Sequence, residues 1–267
     1  MIKIGSRTSP LAMKQTEMAV EELKKAFPEE EFEIVGISTK GDKRLDMPLK
    51  DFGGKGAFIK EIETALLNNE IQMAVHSAKD MPTELSDGLV LSAALKRGPH
   101  EDVLIKSKST DRIKVIGTGS ARREIQLREI YPDAEIRSIR GNIHTRIEKL
   151  KRGEYDAITL AKAAVERLNI NDGDLEITVL DFVCAASQGI IAVETARGEF
   201  ERYAEAINHE ETFLAMNAER EFLKSMGGGC HSPVGAYAEV KDGVIVMETL
   251  FEKDGKIIRE TRRAEIK

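Results

Sequence analysis

Two cysteines occur in the chain, and their surroundings separate structure from chemistry. Cys184 sits in Phe182-Val183-Cys184-Ala185-Ala186, the setting of a small buried hydrophobe. Cys230 follows Gly227-Gly228-Gly229 and precedes His231-Ser232-Pro233, a stretch too flexible to be a core element. A thiol there can be presented to a cleft elsewhere as a covalent attachment site. Two cysteines form no disulfide framework and suit a reducing compartment, although one bridge stays open on paper. The five histidines are scattered, so the sequence offers no metal-ligand cluster.

Gly117-Thr118-Gly119-Ser120-Ala121-Arg122-Arg123 lies between a strand signal and a helix signal. Small residues let backbone N–H groups face a ligand, a helix amino terminus favours negative charge, and two arginines add forked donors for carboxylate or phosphate. The competing reading is a tight turn with two solvated arginines; the spacing is not that of a P-loop. Arg137-Ser138-Ile139-Arg140-Gly141-Asn142-Ile143-His144-Thr145-Arg146 repeats the arrangement with Arg140 and Arg146, and Gly5-Ser6-Arg7-Thr8-Ser9-Pro10 does so with Arg7 and Ser9. One such turn means little, whereas three opening on one cleft suit a ligand with many carboxylates.

In His76-Ser77-Ala78-Lys79-Asp80-Met81-Pro82, Asp80 can accept a proton or steady a developing cation, and Lys79 can meet an anion. Taken alone, Asp80 reads as a turn residue before proline and His76 as a hydrogen-bonded structural residue. Lys40-Gly41-Asp42 and Gly53-Gly54-Lys55-Gly56 bracket a loop of about fifteen residues, a candidate lid.

An alternation of strand and helix signals must position these residues. Ile2 and Ile4 open a strand, and Ser9-Pro10 starts a helix whose Ala12, Thr16, Ala19, Val20, Leu23, Ala26 and Phe27 share a face until Pro28. Phe32 to Ile37 is a strand, Phe58, Ile59, Ile62, Ala65 and Leu66 form a helical stripe, and Ile71 to Val75 and Leu89 to Leu95 are strands. This order predicts a largely parallel sheet. After Gly98-Pro99 a second series follows: strand 112–116, helix 121–131, strand 134–139, helix 143–152, strand 157–160 and a helix through Leu168. Two α/β lobes of similar size place a ligand cleft between them. From about residue 208 the pattern becomes one helix, Glu210 to Lys224, and three apolar segments joined by Asp242-Gly243 and Asp254-Gly255, strong hairpin signals. A small α+β domain with a three-stranded antiparallel sheet is expected.

The 267 residues suit two or three compact units, and 41% hydrophobic with 32% charged residues excludes a wholly disordered chain. No apolar run reaches the length of a membrane span, and Met1-Ile2-Lys3-Ile4-Gly5 does not open a leader, so the expectation is a soluble, unexported, cytoplasmic protein. Forty basic against 46 acidic residues leave a net charge of −6 and no global reason to coat nucleic acid. An anion must be held by a local cluster. A transcriptional regulator fits poorly, with no helix-turn-helix extension and no basic face.

Taken together, the chain closely resembles the hydroxymethylbilane synthase, or porphobilinogen deaminase, family. The matching stretches run in the family's order: Arg7-Thr8-Ser9-Pro10-Leu11-Ala12, Thr39-Lys40-Gly41-Asp42, Gly53-Gly54-Lys55-Gly56, His76 to Pro82, Gly117 to Arg123, Arg140-Gly141-Asn142, Gly153-Glu154-Tyr155-Asp156-Ala157, and Gly228-Gly229-Cys230 through Pro233-Val234-Gly235. The resemblance implies an α/β fold of two lobes like periplasmic solute-binding proteins, with mixed sheets, plus the small C-terminal α+β domain. Lobe 1 would be discontinuous over 1–97 and 188–207, lobe 2 would span 98–187, and 208–267 would carry the cofactor. That cofactor is a dipyrromethane held by a thioether to Cys230. The resemblance makes Asp80 catalytic, and gives Lys79, Ser77, Thr118, Ser120, Arg122 and Arg123 to the cofactor. It sets Arg7, Ser9, Gln15, Arg140, Arg146, Arg167 and Gln188 near substrate, and Lys55 and Phe58 in a mobile loop.

The implied reaction is a transferase step of tetrapyrrole and heme biosynthesis, in which four porphobilinogen molecules are deaminated and condensed to hydroxymethylbilane. The implied enzyme is a monomer that hands its product to uroporphyrinogen-III synthase, without nucleic acid, membrane or metal. Three departures stand out: the chain stops soon after the third tail strand, leaving one face of the small sheet uncovered or differently shielded; Cys184-Ala185-Ala186-Ser187-Gln188-Gly189 differs from the usual Pro-x-Val-Gly-Gln-Gly; and Gly119 replaces a common serine. The competing class is a non-catalytic two-lobed protein binding a small anion.

Overall fold

The computed structural model describes residues 1–39, 59–198, 200–227 and 233–266. In chain order the elements are β1 (Ile2–Arg7), α1 (Pro10–Ala26), β2 (Phe32–Ile37), α2 (Lys60–Leu67), β3 (Met73–Ser77), a 3₁₀ turn (Ala78–Asp80) and β4 (Leu89–Ala94). Then come β5 (Asp102–Ser107), β6 (Val115–Gly117), α3 (Ala121–Ile130), β7 (Glu135–Arg137), α4 (Ile143–Lys151), β8 (Ala157–Ala161), α5 (Lys162–Arg167) and β9 (Leu175–Leu180). The chain closes with β10 (Ile191–Ala196), α6 (Glu201–Glu205), α7 (Glu210–Ser225), β11 (Gly235–Lys241), β12 (Val244–Lys253) and β13 (Lys256–Glu265).

The first sheet has the order β2-β1-β3-β10-β4 and the second the order β7-β6-β8-β5-β9. They share one plan: three parallel strands, then a strand antiparallel to both its neighbours, β10 in one and β5 in the other. The expectation of a largely parallel sheet is therefore corrected to mixed sheets, as the family resemblance implies. The correction comes from β5, β9 and β10, which local patterning did not register. Strand 112–116 also contracts to Val115–Gly117, and 134–139 to Glu135–Arg137.

Ser9 caps α1 by accepting from the Ala12 N–H at 3.4 Å, Pro10 occupies the first turn, and Ala19, Val20 and Leu23 pack on Ile4, Met73, Val75 and Val193 of the first sheet. The second sheet is covered on both faces, by Ile147 and Leu150 on one side and Leu127 on the other. Hence Val103-Leu104-Ile105 is continuously buried, as in a strand without a solvent side.

Two segments cross between the lobes side by side, the Leu95 N–H bonding to Ile191 O at 3.0 Å and the Gly98 N–H to Gly189 O at 3.1 Å. Gly189 has φ +87°, and a Cβ there would stand 2.6 Å from the Gly98 carbonyl oxygen, so only glycine lets the crossovers pass this closely.

In the third unit, β11, β12 and β13 form an antiparallel sheet with Asp242 and Gly243 (φ +51° and +75°) and Asp254 and Gly255 (φ +51° and +72°) at its hairpins, as the sequence signals require. Phe222 of α7 meets Phe251 of β12 edge-on, and the Arg262 guanidinium lies 5.0 Å from the Phe222 ring centre, covering that end of the small core.

Candidate active site

The turn that bears Lys79 and Asp80 is the continuation of β3, a strand buried along most of its length. Asp80 is exposed, and with Arg7, Ser9, Gln15, His76, Ser77 and Met81 it lines a solvent-open recess at the carboxyl ends of β1 and β3. Within this wall the Ser77 hydroxyl donates to Gln15 Oε1 at 2.8 Å. His76 and Glu194 are both buried, with Nε2 and Oε2 3.0 Å apart, which agrees with a hydrogen-bonded structural histidine.

The facing wall comes from lobe 2. Ser120 caps α3 through the Arg123 N–H, and the Thr118 hydroxyl accepts from the Ser120 N–H at 3.3 Å, so the polar turn is held by its own side chains. Arg122 and Arg123 are buried rather than solvated. Their guanidinium groups converge on Asp102: Arg122 Nη1 donates to Oδ2 at 2.7 Å, while Arg123 Nε and Nη2 donate to Oδ1 at 2.9 and 2.7 Å. Burial alone would raise the Asp102 carboxyl, but Arg123 and Arg122 hold it well below the ordinary carboxylate range.

Gln188 joins the two walls. Its Nε2 donates to the His100 carbonyl at 2.7 Å and to Asp102 Oδ1 at 2.9 Å, and its Oε1 accepts from Lys79 Nζ at 3.3 Å. Burial pulls the Lys79 ammonium down to about 8; Asp80 and Asp102 oppose the shift and Arg123 and Arg122 add to it. Arg146 is likewise pushed down, first by burial and then by Arg123 and Arg140, against Asp80. Lys79, Asp80, Arg122, Arg123, Arg140 and Arg146 therefore stand within one electrostatic neighbourhood. Five cations face two acids there, and one of those acids, Asp102, is already engaged. Such a donor set suits a ligand carrying several carboxylates.

Not every expected residue opens onto that space. Gln188 is buried with both ends of its amide engaged inside the chain, and Arg167 is pinned to the crossover, its Nη2 donating to Gly189 O at 2.6 Å. Burial brings the Arg167 guanidinium down to about 10. Cys184 is fully buried, with its Sγ 3.7 Å from Ala236 O, and burial drives its thiol up to about 12, the inert thiol its neighbours suggested. Cys230, Lys55 and Phe58 lie outside the described residues.

Sequence reasoning missed Asp102, and it missed the joint beneath it. Glu219 of α7, fully buried, accepts from Arg97 Nη1 at 2.6 Å, from the Ala238 N–H at 2.5 Å and from the Ser187 N–H. Arg97 also donates through Nε to Gln188 O at 2.9 Å and lies over the Tyr237 ring, which stacks on His100. One carboxylate thus fastens both crossovers to the third domain. The only sequence signal for Asp102 is an acid opening an apolar run, and its partners lie twenty or more residues away.

Among the described residues, no helix is long and apolar enough to cross a membrane. The family model for "Porphobilinogen deaminase, dipyromethane cofactor binding domain" matches residues 2–203, and that for "Porphobilinogen deaminase, C-terminal domain" matches residues 213–267. A porphobilinogen deaminase of Geobacillus kaustophilus is 45% identical over 267 residues, covering 96% of this chain and 86% of the relative. That of Alkaliphilus oremlandii is 42% identical over 254 residues, covering 94% and 86%. Among solved structures, the periplasmic VFT2 domain of BvgS from Bordetella pertussis aligns with a TM-score of 0.46 at 17% identity, covering 84% of this chain and 92% of that one. Its matched length and the identity to its relatives leave no ambiguity: the chain belongs to the porphobilinogen deaminase family.

Proposed function

We propose that this chain is a hydroxymethylbilane synthase, a transferase that deaminates four porphobilinogen molecules and joins them head to tail into a linear tetrapyrrole. The observation that carries the reading is the excess of cations around a single exposed carboxylate, Asp80, between two lobes. A small-anion binding protein would need the cations but has no use for Asp80 beside them.

The cofactor-binding domain that the family model describes covers both walls. A dipyrromethane, with acetate and propionate groups, fits the donor set: Lys79, Arg122 and Arg123 would hold its carboxylates, with Ser77, Thr118 and Ser120 at the adjoining turns. When bound, it supplies the free pyrrole α-carbon to which each incoming unit adds. Cys230 is the attachment residue in this reading, because the other cysteine is buried with a raised thiol and cannot offer a thiolate. Arg7, Ser9, Gln15, Arg140 and Arg146 orient the carboxylates of porphobilinogen. The Asp80 carboxylate faces the aminomethyl carbon and stabilises the positive charge that develops there as ammonia leaves, an electrostatic role that a fixed anion performs best in a water-poor cleft. Gln188 and Arg167 support the cleft from the crossover side.

Three units follow from the same reading, 1–97 with 188–207, 98–187, and 208–267. The whole cleft lies within one chain, which favours a monomer. A cytoplasmic location and hand-over of product to uroporphyrinogen-III synthase complete the proposal. Intact mass of protein purified from cells that make porphobilinogen tests it. A dipyrromethane increment is expected, mapped to the Cys230 peptide, kept in Cys184→Ala and lost in Cys230→Ser. An adduct on Cys184, or none, overturns the assignment.

A further inference from the structure

Asp102 does not reach solvent, yet its carboxylate organises the wall that faces Asp80. Oδ1 accepts from Arg123 Nε, Arg123 Nη2 and Gln188 Nε2, and Oδ2 accepts from Arg122 Nη1. Each arginine has a second anchor, Arg122 Nη1 on Val183 O at 2.7 Å and Arg123 Nη1 on Thr159 O at 3.1 Å. With two anchors, each guanidinium is held in place, and only the protons not spent on these anchors remain for a ligand. Arg122 Nε and Nη2 find no acceptor among the described residues, and Lys79 Nζ has there only Gln188 Oε1.

As a device for stability the arrangement is poor. Two buried cations share one anion, so one positive charge stays uncompensated until an anionic ligand arrives, and buried ion clusters of this kind are commonly matched by apolar packing. The location is informative too. Asp102 opens β5 just past the outgoing crossover and Gln188 lies in the returning one, so the registration of the basic groups is set where the lobes join.

We propose that Asp102 is the positioning residue of the carboxylate-binding wall: through its bonds to Arg122, Arg123 and Gln188 it decides which protons of these arginines and of Lys79 are left for the ligand. The proposal rests on the site reading given above and assigns that site a part no ligand touches.

Asp102→Asn keeps the shape and removes the charge. Expected in the folded variant is a fall of at least about tenfold in the fraction carrying dipyrromethane by intact mass, the factor that accompanies loss of one charge-assisted hydrogen bond. The readout that separates positioning from plain stability is Lys79 itself. In cofactor-free Cys230→Ser protein, pulse acylation of Lys79 Nζ across pH, read by peptide mass, reports where the amine loses its proton. The charged groups facing it are Asp80 on its own turn, Asp102 on β5, and Arg122 and Arg123 on α3. Removing Asp102 leaves Asp80 alone against the two arginines, so the midpoint must move down; Asp102→Glu, which keeps the charge but displaces it, returns the midpoint while loading stays impaired. A folded Asp102→Asn that loads normally, or whose Lys79 midpoint is unmoved, overturns the proposal. If Asp102→Asn does not fold, Gln188→Met cuts the path from Asp102 to Lys79, removing the Gln188 bonds to both while the Arg122 and Arg123 bonds to Asp102 remain; the Lys79 midpoint must then fall, and an unmoved one overturns the proposal equally. Wild-type protein without any adduct would instead defeat the functional reading, and the Lys79 shift would still decide the role of Asp102.

Discussion

Replacing Glu219 by glutamine should damage the protein out of proportion to the one atom changed. The carboxylate takes a charged fork from Arg97 and backbone protons from Ser187 and Ala238, all in a site closed to water. Glutamine keeps one acceptor oxygen and turns an NH₂ toward the remaining donors, so the Arg97 charge and at least one buried N–H lose their partner. Breaking one side of a buried ion pair costs about 3–5 kcal/mol, and an orphaned buried donor about 1–3 kcal/mol. These overlap because both belong to one network, and a loss of about 4 kcal/mol is expected. For a chain of this size each kcal/mol lowers Tm by about 2–4 °C, so calorimetry should find a fall of about 8–16 °C. Arg97→Met combined with Glu219→Met strands no charge and should recover part of that loss. A Glu219→Gln protein melting within about 2 °C of wild type, or a double variant worse than the single one, would refute the idea that the Glu219 carboxyl group fastens both crossovers to α7 and β11.

Asp80→Asn keeps shape and hydrogen bonding but offers no negative charge, so turnover in cofactor-loaded protein should fall by about 10²-fold or more while KM changes little; near-normal ring addition in single-turnover assays would move the chemistry to another residue. Lys79 gives the reaction a pH signature. Because burial lowers its ammonium to about 8, the charge is present below that pH and lost as pH rises through it, and bound carboxylates delay the loss. kcat/KM should therefore show an alkaline limb at or above about pH 8 that disappears in Lys79→Arg, since arginine stays charged; an unchanged limb in that variant would exclude Lys79 as its source.

Sequence pattern carried well where the determinant is local. Ser9-Pro10, the stripe of α1 and the two Asp-Gly hairpins each depend on neighbours within a turn; the cap and the hairpins are found as expected, and of the stripe Thr16, Ala19, Val20 and Leu23 are buried while Ala26 at its end is exposed. It failed where the determinant is tertiary. Glu-Ile-Thr-Val of β9 alternates polar and apolar residues, but its edge position leaves all four exposed, and β10 finds its place between β3 and β4 from far along the chain. The site divides in the same way. The strand-to-helix turn drew attention to Arg122 and Arg123, since capping leaves a mark on sequence, whereas Asp80 taken alone reads as a turn residue and gains a chemical role only from the family resemblance. Asp102 and Glu219 look like ordinary acids until the fold buries them, and the bonds by which Gln188 and Arg167 hold the crossover join residues too far apart in sequence to leave a local mark.

The position of β10 governs the order in which the protein can be built. Lobe 2 draws its entire sheet from one uninterrupted stretch, residues 102–180, and can close as soon as that stretch has left the ribosome. Lobe 1 is made first but cannot finish first: until Ile191–Ala196 emerges, β3 and β4 have no strand between them, and Val75 and Ala93 lack the Val193 that covers them. For the time taken to synthesise about a hundred residues, at roughly 5–20 residues per second, the nascent chain carries two open strand edges beside an apolar surface. Substitutions that slow closure of lobe 2 would lengthen that interval, and would show as lost soluble yield during synthesis even where the finished enzyme is stable.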